Sequence, residues 1–158
     1  MTQTITIQSV ATGRYLGVKL PLTGSDDWPV TTFDNADSDN MKWSINSDLR
    51  DPSALTGVVS YSKKSDGNRV FWVPGHSFGI DGANANRLMV ADINYLPPLP
   101  FQFVVKTEIS GKLAFKIFAD GKDADCLYSS SADKYSAYII HEKSPKEKAD
   151  LFFVEAAS

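Results

Sequence analysis

An all-β fold built from three repeated units is what this sequence predicts, on three observations. Period-two alternation of β-branched and aromatic residues dominates the chain, and no window longer than about ten residues keeps a helical stripe. A glycine turn after an alternating strand recurs at fixed spacing: Gly13, Gly67 and Gly121 lie 54 residues apart, and the same interval links Ile5, Val59 and Leu113, and Ile7, Tyr61 and Phe115. An aromatic closes a short apolar run late in each unit, as Trp43 in Met-Lys-Trp-Ser-Ile, Phe103 in Phe-Gln-Phe-Val-Val and Phe153 in Leu-Phe-Phe-Val-Glu. A period near a third of the chain is too long for a solenoid unit and too short for an independent domain, so three units share one core. That core is expected to hold Ile5, Ile7, Leu16, Trp43, Val59, Tyr61, Val70, Phe103, Leu113, Phe115 and Phe153.

In the first unit, strands are expected near 3–9, 14–18, 30–33 and 41–46, with Gly13 supplying the first turn. The connection Lys19-Leu20-Pro21-Leu22-Thr23-Gly24-Ser25-Asp26-Asp27-Trp28-Pro29 carries apolar residues where a loop is normally polar. Asp51-Pro52-Ser53 breaks the chain before the second unit, whose strands are expected near 57–62, 69–73, 87–92 and 101–106. Asp66-Gly67 makes its hairpin, and the glycine-rich segment 74–86 is the counterpart of the long first loop. Asn94-Tyr95-Leu96-Pro97-Pro98-Leu99-Pro100 must be extended, because proline fixes φ and restricts the residue before it; a stiff connector is preferred to a ligand for a proline-binding groove. The third unit gives strands near 113–118, 126–130, 136–141 and 151–155, a turn at Asp120-Gly121, a short loop at 131–135 and a solvated turn over 142–148.

Three sets of four strands resemble the β-trefoil, and Thr12-Gly13-Arg14-Tyr15-Leu16 followed by Asn40-Met41-Lys42-Trp43 is similar to the ricin-B-like lectin branch. The resemblance spans residues 1–158 as a single domain, with repeats at about 1–50, 51–108 and 109–158. It implies a six-stranded barrel closed by three hairpins.

A chain of 158 residues buries roughly 68–70% of its unfolded surface and needs no staple. Its net charge of −3 opposes non-specific attraction to nucleic acid or an anionic membrane, neither of which is expected as a partner. The N-terminus Met-Thr-Gln-Thr-Ile-Thr-Ile has no basic segment followed by an apolar run, and Cys126 has no partner for a disulfide, so a cytoplasmic location is expected, unconventional export remaining open.

Chemistry is sparse. The two histidines, His76 and His141, have no metal-ligand spacing around them, and there is no phosphate-cradling glycine loop. Neither a metal nor any other cofactor is expected. Neighbouring Asp123 and Asp125 disfavour a Cys126 thiolate, which reads as a half-buried structural cysteine. The pairs Asp26/Asp27 and Asp37/Asp39 lie in turns, whereas acid–base work requires one carboxyl held protonated in an apolar pocket. A non-enzymatic binding protein is therefore expected.

For binding, the trefoil resemblance points two ways. Ricin-B-like lectins use an Asp after the glycine turn, a stacking aromatic and a Gln-x-Trp end motif. Here the Leu-Asp-Val position reads Leu16-Gly17-Val18, Val70-Phe71-Trp72 and Leu127-Tyr128-Ser129, and the motif's Gln is Met41, Phe101 and Leu151. A glycan would have to be met by Phe33 stacking, with Asp34, Asn35 or Asn40 bonding to it. The other branch, the mushroom β-trefoil protease inhibitors, is similar in size, acidity, lack of disulfides and unequal loops. It implies a reversible block of cysteine proteases and, as a second class, aspartic proteases by a projecting loop.

The inhibitor reading takes first place. Its loop is Lys19, Leu20, Pro21, Leu22, Thr23, Gly24, Trp28 and Pro29, in which two prolines restrict the free chain and three apolar side chains have no evident internal duty. A second loop would present His76 and Phe78. The alternative is that the first loop folds back and caps the barrel with Trp28. Either a monomer or a homodimer fits these readings.

Overall fold

The computed structural model describes residues 3–22, 24–34, 39–46, 54–62, 69–74, 87–94, 99–119, 126–130, 133–140 and 149–157. Alternation builds the elements. The first unit contains β1 (Gln3–Ser9), β2 (Tyr15–Gly17), β3 (Asp27–Pro29), β4 (Thr31–Phe33) and β5 (Trp43–Ile45), with a 3-10 turn at Asp39–Met41. The second contains β6 (Ala54–Gly57), β7 (Val59–Ser62), β8 (Arg69–Pro74), β9 (Leu88–Asp92) and β10 (Phe101–Ile109). The third contains β11 (Lys112–Ala119), β12 (Cys126–Ser130), β13 (Asp133–Ile140) and β14 (Phe152–Ala156).

Pairing closes a barrel. β14 pairs with β1, β1 with β5, β5 with β7, β10 with β11, and β11 with β14, all antiparallel. The remaining seam is made by β6, which pairs with β10 and continues through Val58 into β7. At Val58 the strand changes partner, and its N–H donates to the side-chain oxygen of Asn46 at 2.7 Å. Three further pairs, β2–β4, β8–β9 and β12–β13, complete the units. The fold is an all-β trefoil.

Two strands beyond the expected twelve arise because two are interrupted. β6 and β7 are one strand broken at Val58, while β3 and β4 are separated by Val30. β3 pairs with β9 of the second unit, and β4 pairs with β2 and with β13 of the third. Residues 27–33 thus tie the first cap to the other two.

The core is aromatic. Trp72 meets Trp43 and Phe101 edge-on, each at 5.3 Å between ring centroids, and lies nearly parallel to Phe103 at 6.4 Å. Trp43 also donates its indole N–H to the Leu16 carbonyl at 2.9 Å, so this buried ring leaves no polar atom unsatisfied.

Two expected core residues are corrected. Leu113 is 38% exposed, because β10 and β11 run past the barrel to a turn where Ser110 and Gly111 both have positive φ, and Leu113 sits opposite Glu108 on that projection. Phe153 is only half-buried: pairing of Phe152 with Phe115 and of Val154 with Ile7 turns 152 and 154 inward. Phe152, fully buried, is therefore the third closing aromatic. Cys126 is buried outright rather than half-buried. β10 runs on to Ile109, and β13 begins at Asp133, which pairs with Ser130, so residues 133–135 of the loop expected at 131–135 belong to a strand. Gly13 has φ of +73° in the first turn; Gly67, Gly121, His141, segments 75–86 and 95–98 and the turn at 142–148 lie outside the described residues.

Candidate functional site

The segment from Lys19 to Pro29 divides in two. Lys19, Leu20 and Pro21 are exposed, Leu20 to 48%, across a cis Leu20–Pro21 peptide. The rest belongs largely to the barrel. Leu22 is buried, Trp28 packs against the core, and Asp27, Trp28 and Pro29 pair with Ala91, Val90 and Met89. Two further backbone bonds fasten this strand, from Val30 N–H to the Leu88 carbonyl and from Asp92 N–H to the Asp26 carbonyl. The expectation that Leu22 and Trp28 are unemployed is corrected: both fill apolar space beneath the loop. What remains outside is a ridge beside a groove of about 270 Å³ lined by Lys19, Leu20, Pro21, Trp28, Pro29 and Thr31. Gly24 is exposed with φ of +77°; Thr23, His76 and Phe78 lie outside the described residues. Partial burial, and then the neighbouring Asp26 carboxylate, push the Asp27 carboxyl above the usual carboxylate range.

The residues nominated for a first-repeat sugar site are held by one another. Leu16 and Val18 point into the core, so Gly17 between them points outward. A Cβ there would lie 2.7 Å from the Asn40 carbonyl oxygen and 2.9 Å from both Met41 Cγ and Phe33 Cδ2. Asn40 cannot easily retreat, because its carbonyl accepts from Val18 N–H at 3.0 Å while its side-chain amide donates to the Val18 carbonyl, also at 3.0 Å. Asp34 is ion-paired to Arg14, whose guanidinium also donates to the Thr32 hydroxyl and carbonyl. Phe33 is half-buried against this arrangement, and Asn35 lies outside the described residues. The structure brings Phe33 and Asn40 together and uses both to cover Gly17.

A third place was not foreseen. On β8, Val70 and Trp72 are buried, which turns Arg69 and Phe71 to the outer wall. Cross-strand pairing sets Phe71 beside Ser60 and Ser60 beside Ser44. These residues, with Asn46 and Val58, line a groove of about 290 Å³. Arg69 is oriented by its Nε–H, which donates to Ser60 Oγ at 3.0 Å, and among the described residues no group engages its two terminal nitrogens. Among the described residues that line it, the groove holds one cation and no carboxylate. The signal was present in the sequence: once Val70 and Trp72 are read as inward, Arg69 and Phe71 must share the outer face.

No protein-family model matches the chain, and no curated protein matches it in sequence. Solved structures do match. The chain is similar to the Rhizoctonia solani agglutinin, at 15% identity and a TM-score of 0.59, over 98% of this chain and 96% of that one. It is similar to ThreeFoil, a designed three-fold symmetric protein, at 17% identity and a TM-score of 0.56, over 96% of each chain. It also superposes on part of Cry35Ab1, at 14% identity and a TM-score of 0.58, over 99% of this chain but only 36% of that one, so it spans about a third of that protein's length. At such identities the likeness shows the fold alone.

Proposed function

We propose that this chain is a non-catalytic binding protein that recognises carbohydrate, through the outer-wall groove of β5, β7 and β8. The observation that carries the reading is the combination in one concavity of a half-exposed aromatic face, Phe71, with hydroxyl, amide and guanidinium groups from Ser44, Ser60, Asn46 and Arg69. A sugar ring offers an apolar C–H face and a rim of hydroxyls, and this lining offers both complements. At about 290 Å³ the groove is of a size for one ring. The fold neighbours, an agglutinin among them, support a recognition role without specifying the ligand. A glycan array with the wild-type protein, repeated with Phe71→Ala, tests this: binding that free sugar competes away and the variant lacks supports it, and an array with no bound glycan overturns it.

A protease-blocking role is the second reading, favoured by the exposure of Leu20 on a loop fastened on both sides. Val18 is bonded to Asn40 before the ridge and β3 is paired to β9 after it, so an apolar tip is presented on a stiff support. The inhibitory contact would then be Lys19, Leu20 and Pro21 alone, without Leu22 or Trp28. Inhibition of papain-type and pepsin-type proteases by the wild type, lost in Leu20→Ala at unchanged Tm, would support it.

A further inference from the structure

We propose that the groove beside Phe71 selects a sugar bearing a carboxylate, with Arg69 as the group that reads the acid. The inference rests on the carbohydrate reading above and adds the ligand's chemical class.

Three observations lead to it. The guanidinium of Arg69 is fixed by Nε–H donation to Ser60 Oγ, so one edge is used internally and the terminal pair of nitrogens is left for a ligand. A guanidinium so placed matches a carboxylate in a planar, two-point, charge-assisted contact, which a neutral hydroxyl cannot reproduce. Second, no acidic residue is among the described residues that line the groove, although the chain as a whole carries a net charge of −3. Among the described residues no carboxylate is paired with this guanidinium, whereas Arg14 is paired with Asp34, Lys112 with Glu155 and Lys116 with Asp150. Third, Phe71 and Arg69 lie two residues apart on the same face of β8, about 6–7 Å along the strand, so a ring resting on Phe71 can turn a carboxyl at its edge towards the Arg69 guanidinium. Ser44 and Asn46, one strand beyond Ser60, then face the ring's hydroxyl rim.

A hexuronate within a polysaccharide and a terminal sialic acid share this chemistry, and they differ in where the carboxylate sits on the ring. The proteins compared are the wild type, Arg69→Gln and Phe71→Ala, each first checked for an unchanged Tm. Calorimetric titration uses methyl glucuronide, methyl glucoside, N-acetylneuraminic acid and acetate. The expected result is that one acidic sugar binds the wild type at least about tenfold more tightly than methyl glucoside, that Arg69→Gln removes the difference while keeping the weaker neutral binding, and that Phe71→Ala weakens both. Whichever acidic sugar prevails identifies the source. Binding of both acidic sugars no tighter than that of methyl glucoside by the wild type, with all of it lost in Phe71→Ala, overturns the acidic class and leaves carbohydrate recognition standing. Acetate binding as tightly as the acidic sugars reduces the groove to an anion site and overturns the proposal. Failure of every sugar on the wild type removes the carbohydrate reading and this inference with it.

Discussion

The same outward position in two repeats has opposite surroundings. In the first repeat it is Gly17, covered by Phe33, Met41 and the Asn40 carbonyl so closely that no side chain fits. In the second it is Phe71, facing an open groove with the Arg69 guanidinium, held at Nε by Ser60, at its edge. The backbone plan is shared, with buried neighbours on either side in both cases. A pseudo-symmetric fold therefore offers several equivalent places for a site, and side-chain volume at a few outward positions decides which place is open. Here the repeat with the more lectin-like sequence, around Thr12-Gly13-Arg14-Tyr15-Leu16, is the one whose polar groups are spent on structure.

The comparison breaks most severely at Trp43. Its ring is fully buried among Tyr61 and Trp72, and its indole N–H holds the Leu16 carbonyl next to Gly17. Trp43→Ala should cost about 3–5 kcal/mol, read as a lowered denaturation midpoint at unchanged slope. A loss below about 1 kcal/mol would mean that the ring is not the closing element of the barrel.

Gly17→Asp is the direct attempt to restore a lectin's carboxylate to the first repeat. Because the obstacle at 2.7 Å is a backbone oxygen that accepts from Val18 N–H, on a residue whose side-chain amide also donates to the Val18 carbonyl, the neighbours cannot simply rotate away. The variant should lose about 1–3 kcal/mol from overpacking and gain no sugar affinity. A stable Gly17→Asp protein that acquires binding abolished by Asn40→Ala would invert the comparison and return the site to the first repeat.

Most of the architecture was legible because β alternation is a local signal. Ile5, Ile7, Val59, Tyr61 and Val70 all face inward as the period-two pattern requires. The errors have physical causes that act over longer range. Phe153 and Phe152 are adjacent apolar residues, so alternation alone could not choose between them until pairing with β1 and β11 set the register. Leu22 and Trp28 looked idle because their partners lie in β9 and the shared core, some sixty residues away for β9. In the wall groove only the shared face of Arg69 and Phe71 could be read from alternation; Ser44, Ser60 and Phe71 become neighbours only through two strand pairings.

Leu20 and Trp28 sharpen a second comparison, within one loop. Leu20→Ala removes an exposed group and should change stability by less than about 0.5 kcal/mol, whereas Trp28→Ala uncovers the core beneath β3 and should lower Tm visibly. If the ridge alone meets a protease, the first variant loses inhibition at full stability and the second retains inhibition per folded molecule. The reverse assignment would give the interface to Trp28.

The smallest effect belongs to Asp27, whose carboxyl is placed on β3 beside Asp26. Burial and then that neighbour raise its folded-state pKa above the unfolded value near 3.8. The folded protein therefore holds the proton more tightly, and stability falls as pH rises through the interval above that value. At neutral pH the charged form carries a small penalty, which solvent screening of this mostly exposed group keeps below about 0.5 kcal/mol. Asp27→Asn should accordingly raise Tm slightly at pH 7 and leave it unchanged at pH 3, where the wild-type carboxyl is already neutral. A lower Tm for Asp27→Asn at pH 7 would mean that the carboxylate makes a favourable contact in seating β3 against β9, contrary to the direction of its pKa.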